Sequence, residues 1–360
     1  MNWRLVAIPV SLVPFIILIL TSNVSPQDVF ALGVIPFLAA AAAAIIKMLL
    51  QALRFKYFIR HFLGHDVAST GETVAARLAG EFVTQTTPSY VGGEIVRIAW
   101  LTRKGVPPGK AAWVTTMEIL ADVFVGSVLA FIAGALAIYR GGSVVGLAVI
   151  LITIPTLAFW LGLILFSAKR TLRLPSFSQK LVEKFLSKKK SENLVNSANT
   201  AIADLCTMSR EIFNSKKSIH IFGVGIAITV IAFVFYGLSF MVLANAIEPR
   251  IGLFDSLMAT SASTAVANLP ITIGGSGLAE LGIWAYLANL SGIPNLEDVT
   301  NDSQLNVIIA WRIATYHVPL VITWIALMKI TVYRVSAPKI QRPNTGYEDK
   351  KLNNDNNSTT

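Results

Sequence analysis

TTPSYVGGE at 86–94 and NLPITIGGSG at 268–277 read as one device placed twice in the chain. In each, a proline stands four residues before a glycine pair: Pro88 before Gly92 and Gly93, and Pro270 before Gly274 and Gly275. Proline removes a backbone donor and glycine permits turns that other residues cannot make, so each copy separates two short helices. The flanking segments, Glu72 to Thr87, Phe254 to Leu269 and Leu278 to Leu290, are too short or too polar to cross a bilayer alone. A single copy would read as a helix end and a turn. Two copies, in corresponding places in two halves, predict broken helices around a site at mid-membrane.

Composition supports that setting. The 360 residues are 54% hydrophobic and 14% charged, and the mean hydropathy is +0.62. These values exceed those of ordinary soluble domains. Apolar runs near the length of a span are Leu5 to Leu20, Val29 to Leu50, Ala111 to Tyr139, Val144 to Ser167, Ser218 to Ala244 and Asn306 to Ile330. The expected fold is therefore all-α: a polytopic membrane protein of six full transmembrane helices and two re-entrant broken-helix hairpins. Arg4 precedes the first run as in a signal peptide, but no small-residue cleavage site follows, so an uncleaved helix is expected.

Basic residues orient these spans. With the N-terminus in the cytoplasm, the inside segments hold twenty-five of the thirty lysines and arginines, eleven of them in 168–217, while only Arg140 and Arg250 fall outside. A multi-pass protein of the cell membrane with both termini cytoplasmic is expected. In that orientation the unit 29–139 and the unit 218–330 have the same parts in opposite sense, which is an inverted repeat. The membrane domain is expected over 1–340, with the basic cytoplasmic loop 168–217 lying on an anionic leaflet and 341–360 a disordered polar tail.

Ionisable residues inside spans cost at least about 2.5 kcal/mol each unless paired or wet. Glu118 and Asp122 share a face of the third span, Arg77 and Glu81 are four apart in the first hairpin, and Arg312 and His317 lie in the last span. They read either as a structural ion-pair network or as a polar site for a charged headgroup. Half-helix N-termini after Gly93 and Gly277 are expected to offer N–H groups to phosphate. His61, His65 and Asp66 read as part of a solvated helix face beside Arg54, Lys56 and Arg60, not as a metal site.

Other chemistry finds no footing. A pI near 9.7 would suit nucleic-acid binding, but no basic stretch is interleaved with stacking aromatics. Cys206 stands alone, so no intramolecular disulfide forms. GGSG at 274–277 lacks the spacing of a nucleophile elbow or dinucleotide fingerprint, and there is no P-loop. No cofactor and no metal are expected.

The run RLAGEFVTQTTPSYVGGEIVRIAWLTRKGVPPGKAAWVTTMEILADVF, with its later partner NLPITIGGSGLAELGIWAYL, resembles the transmembrane region of lysylphosphatidylglycerol synthases and related flippase-like membrane proteins. The matching positions are Glu81, Pro88, Gly93, Glu94, Arg97, Glu118 and Asp122, then Pro270, Gly274, Gly275, Gly277 and Glu280. In the full-length enzymes a soluble domain transfers lysine to phosphatidylglycerol and the membrane region moves the product across the bilayer. The chain ends at 360 in an Asn-rich tail, so lysyl transfer itself is not expected. The resemblance implies binding and translocation of an anionic or aminoacylated phospholipid, or a lipid-linked headgroup. Gly92 and the other motif glycines would supply donors, Arg97 and Arg312 would neutralise phosphate, and Glu118 and Asp122 would meet a cation or hold a proton. Two alternatives are a membrane enzyme of lipid or lipid-linked glycan modification and a membrane subunit serving a separate soluble enzyme. Expected partners are membrane lipids, and in the alternatives a soluble cytoplasmic enzyme or a second copy of the chain.

Overall fold

The computed structural model describes residues 32–87, 92–169, 215–269, 271–272, 274–288 and 301–332, with short pieces between 195 and 210. Among these residues every regular element is a helix. In chain order they are α1 (Val34–Leu63), α2 (Thr70–Gln85), α3 (Gly93–Arg103), α4 (Pro108–Tyr139), α5 (Ser143–Lys169), α6 (Lys216–Ala244), α7 (Leu253–Ala267) and α8 (Leu278–Ala288). The last span is α9 (Asn301–Arg312), a π-helical turn (Ile313–His317) and α10 (Val318–Val332).

Local signals explain the ends. Ser69 accepts a hydrogen bond from the Glu72 N–H at 3.3 Å and starts α2, as a serine three residues before a glutamate should. Pro108 opens α4, where its missing N–H costs nothing. Gly64, in the left-handed conformation, closes α1.

Five described helices are long and apolar enough to cross a membrane: α1, α4, α5, α6 and the composite last span. The expected span Leu5 to Leu20 lies outside the described residues. So do Pro88 and Pro270, most of the basic segment 168–217, and the tail. One expected boundary is corrected. The run Val29 to Leu50 is not a whole element, because α1 continues to Leu63. At 1.5 Å per residue it is about 45 Å long, and Arg54 is fully buried within it instead of lying on a solvated face. The hydropathy run ended at Gln51 because a row of polar side chains begins there, and periodicity alone cannot tell an interior-facing polar row from a surface one.

Packing follows a reciprocal plan. α1 lies along α6, α2 against α10, and α7 against α4. Small residues permit the close approach: Ala40, Ala41, Ala43 and Ala44 of α1 are buried, as interior helix faces in bilayers commonly require. α5 packs on α4 and presents Leu151, Ile154 and Phe159 outward. In water such a surface would aggregate, whereas in lipid it is the matching solvent.

Candidate functional site

Glu118 on α4 is the hub of a buried ionic network. Three guanidiniums converge on it, one from each preceding helix. Arg54 Nη2 of α1 stands 3.5 Å from Oε1, Arg77 Nε of α2 bonds the same oxygen, and Arg97 Nη1 of α3 lies 3.4 Å from Oε2. Glu118 is 1% exposed. A carboxylate so enclosed ties α1, α2 and α3 to α4.

Around this hub the remaining charges pair off. Arg54 grips Asp122 with both Nη atoms at 2.7 Å and also bonds Thr229 of α6. Gln51 adds a 3.3 Å bond to Asp122. Arg77 bonds Glu81 at 2.5 Å, and Arg97 lies 3.6 Å from Glu94. Each guanidinium is forked and planar, so it can serve two carboxylates at once. Net desolvation is tolerable only because every charge has a partner.

The two sequence breaks meet. The Gly274 N–H faces the Thr87 carbonyl at 3.5 Å, and the Tyr316 hydroxyl donates to the Gln85 carbonyl at 2.8 Å. Arg312 crosses the same junction. Its Nη2 donates to the Gly274 carbonyl at 2.5 Å, its Nε is 2.9 Å from Glu280, and its guanidinium lies 4.0 Å over the Tyr316 ring. The π turn directly follows Arg312. Such turns are rare and concentrate at functional sites, and hydropathy carries no sign of them.

The glycines have structural reasons as well. A Cβ on Gly93 would strike the Gly80 carbonyl, so α2 and α3 touch backbone to backbone at the first break. Gly274, Gly275 and Gly277 all have positive φ, at 58°, 63° and 84°. One donor at each half-helix start is taken locally: the Gly92 N–H donates to Glu94 at 2.8 Å and the Gly277 N–H to Glu280 at 2.7 Å. An acidic residue in the first turn is a normal helix start signal.

A cavity of about 410 Å³ lies between the network and the second break. Its polar wall includes Lys47, Arg77, Glu81, Arg97, Asp122 and Arg312; Val123, Ala130, Ile152 and Phe233 supply an apolar wall. Side chains of Glu81, Glu94 and Asp122 are 19%, 26% and 29% exposed, and Lys47 is half-buried beside them. Those of Arg77, Arg97 and Arg312 are 3–5% exposed and already paired. Of the expected residues, Glu81, Glu94, Arg97, Asp122 and Arg312 line the cavity. Glu118, Gly92, Gly93, Gly274, Gly275, Gly277 and Glu280 are not among the residues that line it. His61 and His65 turn their Nδ1 atoms to the carbonyls of Tyr57 and Leu63. Lys47, Gln51 and Arg54 were missed by sequence reasoning. Their i, i+4, i+7 spacing on one helix face was the available signal, and the alanine-rich run around Lys47 concealed it.

Helices that break in pairs around a charged cavity, held by spans that face lipid, define a polytopic α-helical integral membrane protein with an interior polar site. The chain matches the family described as the lysylphosphatidylglycerol synthase TM region over residues 6–323, and it belongs to that family. It is also 25% identical over 279 residues to a UPF0104 membrane protein of Archaeoglobus fulgidus, covering 75% of this chain and 78% of that one.

Proposed function

We propose that this protein binds an anionic or aminoacylated phospholipid, or a lipid-linked headgroup, in the cavity and moves it between leaflets. The observation that carries this reading is the junction of the two breaks, at Thr87–Gly274 and Gln85–Tyr316, on the wall of one charged cavity. Half-helices meeting at such a point are the usual construction of a transport site. The cavity joins charged and apolar walls, as an amphiphile requires.

The inverted repeat gains support from two features. Helix lengths of 30, 16, 11 and 32 residues in α1 to α4 are followed by 29, 15 and 11 in α6 to α8. The last span is 12, 5 and 15 residues long. Exchanging the halves also maps the packing onto itself, since α2 on α10 corresponds to α7 on α4 and α1 on α6 to itself. The charge distribution then argues for cytoplasmic termini. Within the lipid classes, the accessible carboxylates favour an aminoacylated headgroup, whose ammonium they can meet, over a purely anionic one.

The test is leaflet exchange in liposomes reconstituted with purified protein. Labelled phosphatidylglycerol, its aminoacyl derivative and a polyprenyl phosphate are offered separately. Faster exchange of the aminoacyl lipid is expected. Exchange of all three at the protein-free rate refutes translocation.

A further inference from the structure

We infer that Tyr236, Glu81 and Asp122 form a seat for an ammonium group, and that the seat holds the chain's own Lys47, which a cationic headgroup must displace. This inference rests on the lipid-binding reading for its natural ligand, but the seat itself is a property of these four side chains.

Three observations carry it. Lys47 Nζ sits 3.7 Å above the centre of the Tyr236 ring, within the range where a cation is held by the ring's negative face. The Glu81 carboxylate of α2 and the Asp122 carboxylate of α4, 19% and 29% exposed, open onto the same cavity without an ion pair to Lys47. Lys47, Gln51, Glu81, Asp122 and Tyr236 all line the cavity, so the ammonium is placed where a ligand would arrive.

Charge balance makes the arrangement an exchange. Lys47, Arg54, Arg77 and Arg97 face Glu81, Glu94, Glu118 and Asp122, four of each sign, while Arg312 pairs with Glu280. A cation added to this neutral cluster leaves an excess positive charge in a poorly solvated space. Coulomb repulsion there is several times stronger than in water, so the incoming ammonium and the Lys47 ammonium exclude each other. Lysine suits the role because its charge rides on a flexible stem and can swing away, as a forked and clamped arginine cannot.

A second feature is an unfilled hydrogen-bonding position in the same cavity. Gln85 is 6% exposed and lines the cavity. Its Oε1 has no donor among the described residues. Buried acceptors are nearly always satisfied. A primary ammonium carries three donors and can supply one to such an oxygen.

The experiment uses the full chain in nanodiscs, titrated by calorimetry with ethylammonium chloride at fixed ionic strength, with sodium chloride as control. Lys47→Met keeps the stem and removes the charge. It is expected to bind ethylammonium at least tenfold more tightly than wild type, because the tethered competitor is gone. Lys47→Gln, a second neutral replacement, should give the same gain. Adding Tyr236→Leu or Glu81→Gln to Lys47→Met should abolish most of it. Equal affinity in wild type and both Lys47 variants, or a gain that survives Tyr236→Leu, overturns the seat. A tightened seat in a protein that leaves lipid exchange at the background rate refutes translocation alone. Exchange with no ethylammonium gain refutes the seat alone.

Discussion

Adding one methyl group to Gly274 tests whether the two breaks depend on each other. Gly274 has φ 58°, a conformation that costs a residue with a Cβ about 1–2 kcal/mol. Its added Cβ would also collide with the Gln85 carbonyl and the Tyr316 hydroxyl, one from each flank of the junction. Such overpacking costs about 1–3 kcal/mol more. Gly274→Ala should therefore destabilise by roughly 2–5 kcal/mol in total. Gly277 supplies the internal control. Its φ is 84°, yet an added Cβ there meets nothing within 4 Å, so Gly277→Ala should cost only the conformational part, about 1–2 kcal/mol. Unfolding midpoints of both variants in one detergent measure the difference, and exchange assays follow its consequence for transport. A Gly274→Ala protein no less stable than Gly277→Ala would refute the claim that contact between the halves is tightly packed at this glycine.

Three further outcomes follow from the ionic network and its surroundings. Arg54→Met strands Asp122 and should cost about 3–5 kcal/mol; pairing it with Asp122→Asn should recover most of that, and purely additive losses in the double-mutant cycle would deny the coupling. Glu118→Gln leaves three buried guanidiniums short of one charge, so a comparable loss of unfolding midpoint is expected before any effect on ligand binding is read. By contrast, Arg140 pairs with Asp255 at 2.9 Å with side chains 31% and 24% exposed, and Arg140→Ala should change stability by less than about 1 kcal/mol.

The contrast between Arg54 and Arg140 shows what residue pattern can and cannot supply. Both sit just beyond apolar runs, Arg54 expected beside a solvated helix face and Arg140 in an external loop. Arg140 does follow the end of α4. Arg54 belongs instead to a helix that continues another nine residues, to Leu63. The difference lies in what packs against each: Asp122 and Thr229, from helices far away in sequence, enclose Arg54. No local signal announces partners brought together by packing. Glu94 and Glu280 make the same point at shorter range. Each accepts a hydrogen bond from the glycine N–H at the start of its own half-helix, a contact that the spacing alone does not announce.

The sequence by itself determined the membrane class, the family, the positions of the two breaks and the short helices flanking them. Hydrophobic length, proline and glycine act locally, and a bilayer turns those local properties into a fold class. Only the tertiary structure decided that the breaks touch, that Glu118 is enclosed while Glu81, Glu94 and Asp122 face the cavity, and that Lys47 rests on Tyr236. Those facts depend on which helix lies beside which, and on how burial makes each charge find a partner. The repeated proline–glycine device marks where the helices stop, and side chains from α1, α2, α4, α6 and the last span decide what the space between them can hold.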